Sequence, residues 1–175
     1  LLGFLFIISN NFYRTAVNDI DIYVDQPMTV VDLKKTFYPD ISLISQNEII
    51  NIIDVKMDLG WNRDGFGDFC SDSKQLIINI RNKKCNIRDG ITKKITPLSI
   101  HKDCKYHIVI VSGLNITKAK LEEQIDKGSV CETYVSCYVL SYGEHPNAPV
   151  EDNEFFDKIK IDQSAFDRLF NNITA

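Results

Sequence analysis

Val130-Cys-Glu-Thr-Tyr-Val-Ser-Cys-Tyr-Val-Leu140 has the alternation of a strand, and its two cysteines set the frame for the rest of the chain. On a strand, Cys131 and Cys137 share one face but lie on the order of 20 Å apart. They cannot bond to each other, because a disulfide holds its Cα atoms within about 7 Å. In an oxidising compartment each must reach a different element, and the candidates are Cys70, Cys85 and Cys104. Two bridges and one leftover thiol are the expectation; five ordinary buried thiols in a reducing compartment are the alternative.

Upstream, Lys105–Val111 alternates as a strand, and the segment after it is the one credible helix of the middle region. Thr117 can cap that helix, Leu121 and Ile125 lie on one of its faces, and Gly128 is placed to end it. Gln75–Arg81 reads as a strand, and Asp89-Gly90 as the tight turn of a hairpin joining Lys84–Arg88 to Ile91–Ile95. Gly60–Asp68 is rich in turn formers and reads as a surface loop carrying Trp61 and Phe66. Asn18–Val24 and Ile41–Ser45 read as strands, and Glu48–Met57 is so continuous in Ile and Val that it should be buried on both faces. Thr29–Phe37 is a strand or a helical turn, ended by Tyr38-Pro39. After Leu140 come a Pro-containing acidic segment, a short strand at Lys158–Ile161 and a helix start at Ser164. The expected class is mostly β, a β-sandwich with one or two short helices.

A chain of 175 residues suits one domain and can bury a core without a metal. Residues 17–175 are expected to form that domain. Residues 1–16 begin with Leu1-Leu-Gly-Phe-Leu-Phe-Ile-Ile-Ser9, the length of a signal-peptide apolar region and too short to span a bilayer; a buried first strand would look the same. No Met stands at position 1, so a basic segment is expected to precede it. The net charge of −4 lacks the Lys/Arg stripe that nucleic acid requires. Asn115-Ile-Thr117 and Asn172-Ile-Thr174 are glycan acceptor sequences if the chain enters the secretory pathway.

Motifs that would carry chemistry are weak. His101-x-x-Cys104-x-x-His107 could offer imidazole and thiolate to zinc, but the second histidine sits within a strand pattern and a fourth ligand is lacking. The loop 62–68 falls short of a calcium loop, and Gly65-x-Gly67 does not continue into a dinucleotide fingerprint. No metal, cofactor or catalytic set is therefore assigned. The strongest binding candidate is the acidic tract of Glu144, Glu151, Asp152, Glu154 and Asp157, with Phe155 beside it: clustered carboxylates steer a cationic partner and an exposed aromatic can anchor it.

The order of features from Gln75 to Leu140 resembles the poxvirus immune-evasion domain, a secreted β-sandwich family that includes viral chemokine-binding proteins and proteins retaining MHC class I or blocking costimulatory ligands. Gln75-Leu-Ile-Ile-Asn-Ile-Arg-Asn-Lys-Lys-Cys85 resembles the family's strand running into a cysteine, and Lys105-Tyr-His-Ile-Val-Ile-Val111 the strand before its helix. Leu121-Glu-Glu-Gln-Ile-Asp126 then resembles that helix, and Cys131–Cys137 the two-cysteine strand, with shorter spacing. The chain departs from the family in having fewer cysteines, a shorter acidic insertion and no Lys-Asp-Glu-Leu-like ending. The resemblance implies a secreted or endoplasmic-reticulum-luminal viral immunomodulator, not an enzyme, that sequesters or retains a host immune protein such as a chemokine or cytokine, an MHC-like receptor or a costimulatory molecule. A small hydrolase or thiol enzyme, and a structural virion surface protein, are the alternatives.

Overall fold

Two apolar runs, Ile49–Val55 and Tyr106–Ile110, are buried along almost their whole length, and they lie side by side as parallel strands at the centre of the sheet. The computed structural model describes residues 20–60, 64–128, 133–143 and 158–174. In chain order these form β1 (Ile20–Val24), β2 (Met28–Val30), β3 (Lys35–Phe37), β4 (Ile41–Ser45) and β5 (Glu48–Lys56), followed by helix α1 (Phe66–Ile80). Then come β6 (Lys84–Arg88), β7 (Ile95–Ile110), α2 (Lys118–Lys127), β8 (Val135–Val139), β9 (Ser141–Gly143), β10 (Ile159–Ile161) and α3 (Gln163–Thr174).

Eight strands make one mixed sheet in the order β1-β4-β5-β7-β6-β2-β3, with β8 added to β7; β9 and β10 form a separate antiparallel ribbon. β5, β7 and β8 are mutually parallel, and parallel neighbours need long crossovers that lay helices on the sheet. That is why the layer formed by α1 and α2 is helical. One core cluster joins α1 and α2 to the sheet through Phe66, Cys70, Ile77, Ile80 and Leu121 against Ile52, Ile108 and Val139. The other joins α3 to the opposite face through Ala165, Leu169 and Ile173 against Leu43, Ile53, Val109 and Tyr138. The mostly β class with few short helices stands, with three helices among the described residues, whereas the second large layer expected of a sandwich is supplied by α1, α2 and α3.

Several local expectations are corrected. Gln75–Ile80 is the second half of α1, not a strand: Phe66, Cys70, Ser73, Ile77 and Ile80 are buried at helical spacing. The helix therefore starts inside the stretch expected to be a surface loop, and the likeness of 75–85 to a family strand has no counterpart there. The β6–β7 hairpin does exist, with Arg88 opposite Ile95, but its turn spans 89–94 rather than two residues. Asp89 shapes that turn by accepting from the N–H groups of Ile91 and Thr92. β7 runs from Ile95, well before the expected Lys105, and it carries a bulge: its register against β5 jumps from Ile49–Ile100 to Asn51–Lys105. Of the stretch expected as a strand over Val130–Leu140, Val135–Val139 forms β8, and Cys131 lies outside the described residues. Residues 1–16, expected as a leader or first strand, also lie outside them.

Candidate functional site

The bulge in β7 separates the residues of the His101-x-x-Cys104-x-x-His107 motif. His101 turns outward toward Glu48, its Nε2 3.9 Å from the carboxylate. Cys104 is fully buried in the cluster under α1, with its carbonyl accepting a hydrogen bond from Arg81 Nε at 2.7 Å. His107 points to the opposite face, where its Nε2 lies 2.9 Å from Asn51 Oδ1 and its Nδ1 3.3 Å from the Tyr138 hydroxyl. The three side chains cannot share one ion.

His107 instead belongs to a closed polar relay that ties α3 to the sheet. Asn172 Nδ2 donates to the Tyr138 hydroxyl at 2.9 Å, and Asn51 Nδ2 donates to the Ile173 carbonyl at 3.2 Å. Every bond is satisfied if Tyr138 O–H donates to Nδ1 and the imidazole carries its proton on Nε2, which is the tautomer this network assigns. Burial, with a smaller contribution from the Lys105 charge, pushes the His107 pKa down to about 3, so the ring is neutral.

The cysteines are distributed through the core. Cys70, Cys85, Cys104 and Cys137 are free thiols, so the expected bridges are absent among the described residues. Cys70, Cys85 and Cys104 pack among Ile, Val and Leu as small apolar groups, and burial pushes the Cys70 and Cys85 thiols up to about 12. Burial also raises Cys104 and Cys137. A thiol in that state is a poor nucleophile.

Of the two glycan acceptor sequences, Asn115 is exposed in the turn before α2, where Thr117 Oγ1 caps the helix by accepting from the Lys120 N–H at 3.3 Å. Asn172 differs, because the amide nitrogen that would carry a glycan is the one bonded inward to Tyr138.

The candidate protein-binding residues Glu144, Glu151, Asp152, Glu154, Phe155 and Asp157 lie outside the described residues. The residues on either side of them form the β9–β10 ribbon. β9 and β10 pair with Gly143 opposite Ile159 and Ser141 opposite Ile161, so the tract starts and ends at one spot. Gly143 makes that closure: its φ is +86° and a Cβ there would overlap the Lys158 carbonyl oxygen.

Beside the ribbon is a half-open groove of about 340 Å³ that sequence reasoning did not find. Strand β8 forms its floor, α2 one wall through Lys118, Leu121 and Ile125, and α3 the other through Ala165 and Arg168, with Tyr142 at the ribbon end. Arg168 stacks on Tyr138, its guanidinium carbon 5.7 Å from the ring centroid. Burial, reinforced by the Asp162 carboxylate, holds the Tyr142 phenol above its ordinary range. The Ser136 hydroxyl is buried in the groove floor and makes no hydrogen bond. No family, characterised protein or solved structure matches the chain.

Proposed function

We propose that the chain is a binding protein of the secretory pathway that engages a basic host immune protein through the acidic tract between β9 and β10. One observation supports the reading most directly: Gly143 and Ile159 are strand partners, so the stretch of sequence that carries five carboxylates, Glu144, Glu151, Asp152, Glu154 and Asp157, leaves and rejoins the described fold at neighbouring points. Clustering of this kind raises the local potential and speeds encounter with a cationic surface. The part of the resemblance to the poxvirus immune-evasion domain that lies at 105–111 and 121–137 suggests the partner class, with a chemokine favoured by charge and an MHC-like or costimulatory molecule next. The thiol-enzyme alternative is disfavoured by two features: Cys104 and Cys137 face the α1 side of the sheet while His107 faces α3, and burial raises both thiols.

The test is equilibrium binding of the chain, expressed through a secretory route, to purified basic chemokines and to MHC class I and costimulatory ectodomains. A variant with Glu151, Asp152 and Glu154 changed to Ser should bind a chemokine more weakly and with a flatter salt dependence. Binding that is unchanged in the variant moves the site away from the tract, and no binding to any of these proteins overturns the reading.

A further inference from the structure

α3 is attached to the sheet differently from the other two helices. α1 and α2 lie in the crossovers that link the parallel strands β5, β7 and β8, so each is tethered to sheet strands at both ends. α3 follows β10, and among the described residues no strand of the eight-stranded sheet comes after it. It can leave without breaking a strand pair of that sheet, and elements of this kind open at less than the cost of global unfolding.

The attachments that would have to break converge on one residue. Ala165, Leu169 and Ile173 pack against Leu43, Ile53, Val109 and Tyr138. Beyond that packing, α3 is pinned by the bonds from Asn172 to Tyr138 and from Asn51 to the Ile173 carbonyl, and Tyr138 and Asn51 are the two residues that hold His107. His107 is 0% exposed beneath the helix. Both its ring nitrogens are used with a single proton, and a second proton on Nδ1 would meet a hydroxyl that already accepts from Asn172 and donates to the ring.

The charges around the ring do not favour a second proton either. Lys105, on the same face of β7, is a cation that acts against it, and Arg168 of α3 stacks on Tyr138. Asn51 of β5 is uncharged, and β1 and β4 contribute Ile20, Ile22, Ile41 and Leu43. The α3 carboxylates are engaged elsewhere: Asp162 Oδ1 accepts from the Ala165 N–H at 2.9 Å, and Asp167 Oδ1 from the Gln163 amide at 2.8 Å. The docked helix therefore keeps the imidazole neutral, in line with a pKa of about 3. Once α3 leaves, water reaches that face of β7 and the ring regains its ordinary affinity for a proton.

We propose that α3 is an acid-sensitive latch: it undocks from the sheet as a unit, and proton uptake by His107 in the undocked form drives its release as the solution is acidified. Release uncovers the apolar face formed by Leu43, Ile53, Val109 and Tyr138 while the α1 and α2 side of the sheet stays packed. With the ordinary imidazole value of about 6.5, the opening constant rises about fourfold by about pH 6 and about 30-fold by about pH 5, relative to about pH 8. The latch uses none of the acidic tract, so each assignment can fail without the other.

The experiment is urea-dependent amide exchange of the full chain, followed residue by residue at about pH 8 and about pH 5 and corrected for intrinsic exchange. Leu169, Asn172 and Ile173 should open together, with a weaker urea dependence than Ile52 and Ile108 in the central strands and an opening constant at least about tenfold larger. That constant should rise about 30-fold at the lower pH. The buried Asp54 does not enter this step, because it pairs with Lys56, which lies over Phe69 of α1. In His107→Gln the α3 opening constant should change less than about twofold between the two pH values, since the residue that takes up the proton is gone. Asn172→Ala leaves His107 in place; it should raise α3 opening about fivefold at both pH values and keep the 30-fold dependence, which separates a lost hydrogen bond from the titration. Exchange of α3 with the rate and urea dependence of the central strands overturns the proposal, because the helix then leaves only when the whole sheet unfolds. A wild-type opening constant that does not change with pH, or a pH dependence that survives in His107→Gln, also overturns it.

Discussion

Acidification should destabilise this fold through one residue. His107 is fully buried and neutral, held between the Tyr138 hydroxyl and the Asn51 amide oxygen, and its pKa falls from the ordinary 6.5 to about 3. Below the ordinary value the unfolded chain takes up a proton that the folded chain refuses. The stability associated with this group is therefore complete above pH 6.5 and is lost as the pH drops toward the folded value. At about pH 5, some 1.5 units below the unfolded pKa, the loss is about 2 kcal/mol at 1.36 kcal/mol per unit. With a urea m-value of about 2 kcal/mol/M, the unfolding midpoint falls by about 1 M relative to about pH 8. Asp54 works in the opposite sense, since burial raises its carboxyl, so the comparison must be internal. His107→Gln keeps polar atoms in the pocket but does not titrate; at about pH 8 it should cost about 1–3 kcal/mol, because a bond of the relay is lost in the core. At about pH 5 the gap between the two proteins should shrink by about 2 kcal/mol. Equal gaps at both pH values would refute the argument, for they would mean that His107 takes up its proton in the folded state as readily as in the unfolded one.

Arg81→Lys should destabilise the fold by about 1–2 kcal/mol in urea unfolding: the guanidinium donates to the Cys104 and Thr133 carbonyls and lies 4.5 Å from the Tyr134 ring centroid, a fork that an ammonium cannot reproduce. Gly143→Ala should cost about 1–3 kcal/mol and speed amide exchange at the ribbon residues Tyr142 and Lys160, because the added Cβ meets Lys158 and the left-handed backbone disfavours alanine. Directed into the secretory pathway of a eukaryotic host, the chain should carry a glycan on Asn115 and none on Asn172, read by intact mass before and after glycosidase treatment; modification of Asn172 would show that its bond to Tyr138 opens readily.

The parts of the fold that were legible in the sequence are those with a complete local signal. α2 is capped by Thr117 and stopped at Gly128 as its sequence reads, and β4, β5 and β10 follow their apolar patterns. α1 was misread because Leu76-Ile-Ile-Asn-Ile80, taken alone, is an apolar run of strand length. Its helical stripe emerges only when the window extends back through Ser73 and Cys70 to Phe66, across residues whose glycines suggest a loop. Gly67 is in fact needed for contact, because its N–H donates to the buried Gln124 Oε1 and a Cβ would crowd the Gln124 carbonyl. Pro97 masked the first half of β7 in the same way.

The unbroken apolar run of β5 carried more information than its burial alone. A strand buried on both faces is characteristic of parallel sheets, and parallel pairing requires a long crossover, which here is the 38 residues between Lys56 and Ile95 containing α1 and β6. Reading that run as parallel would have demanded a helix between it and its neighbour, and would have recovered α1 where the local pattern failed. The same topology explains why the β8 groove had no sequence signature. The crossover helix α2 covers one face of the sheet and the C-terminal helix α3 the other, so β8 is flanked by helices that are distant in sequence. Leu121 and Ile125 were visible as one helix face, and Ala165 and Arg168 belong to another helix some 40 residues away in sequence, beyond the reach of any spacing rule. Only the folded chain, which sets β8 between α2 and α3, brings them to one slot.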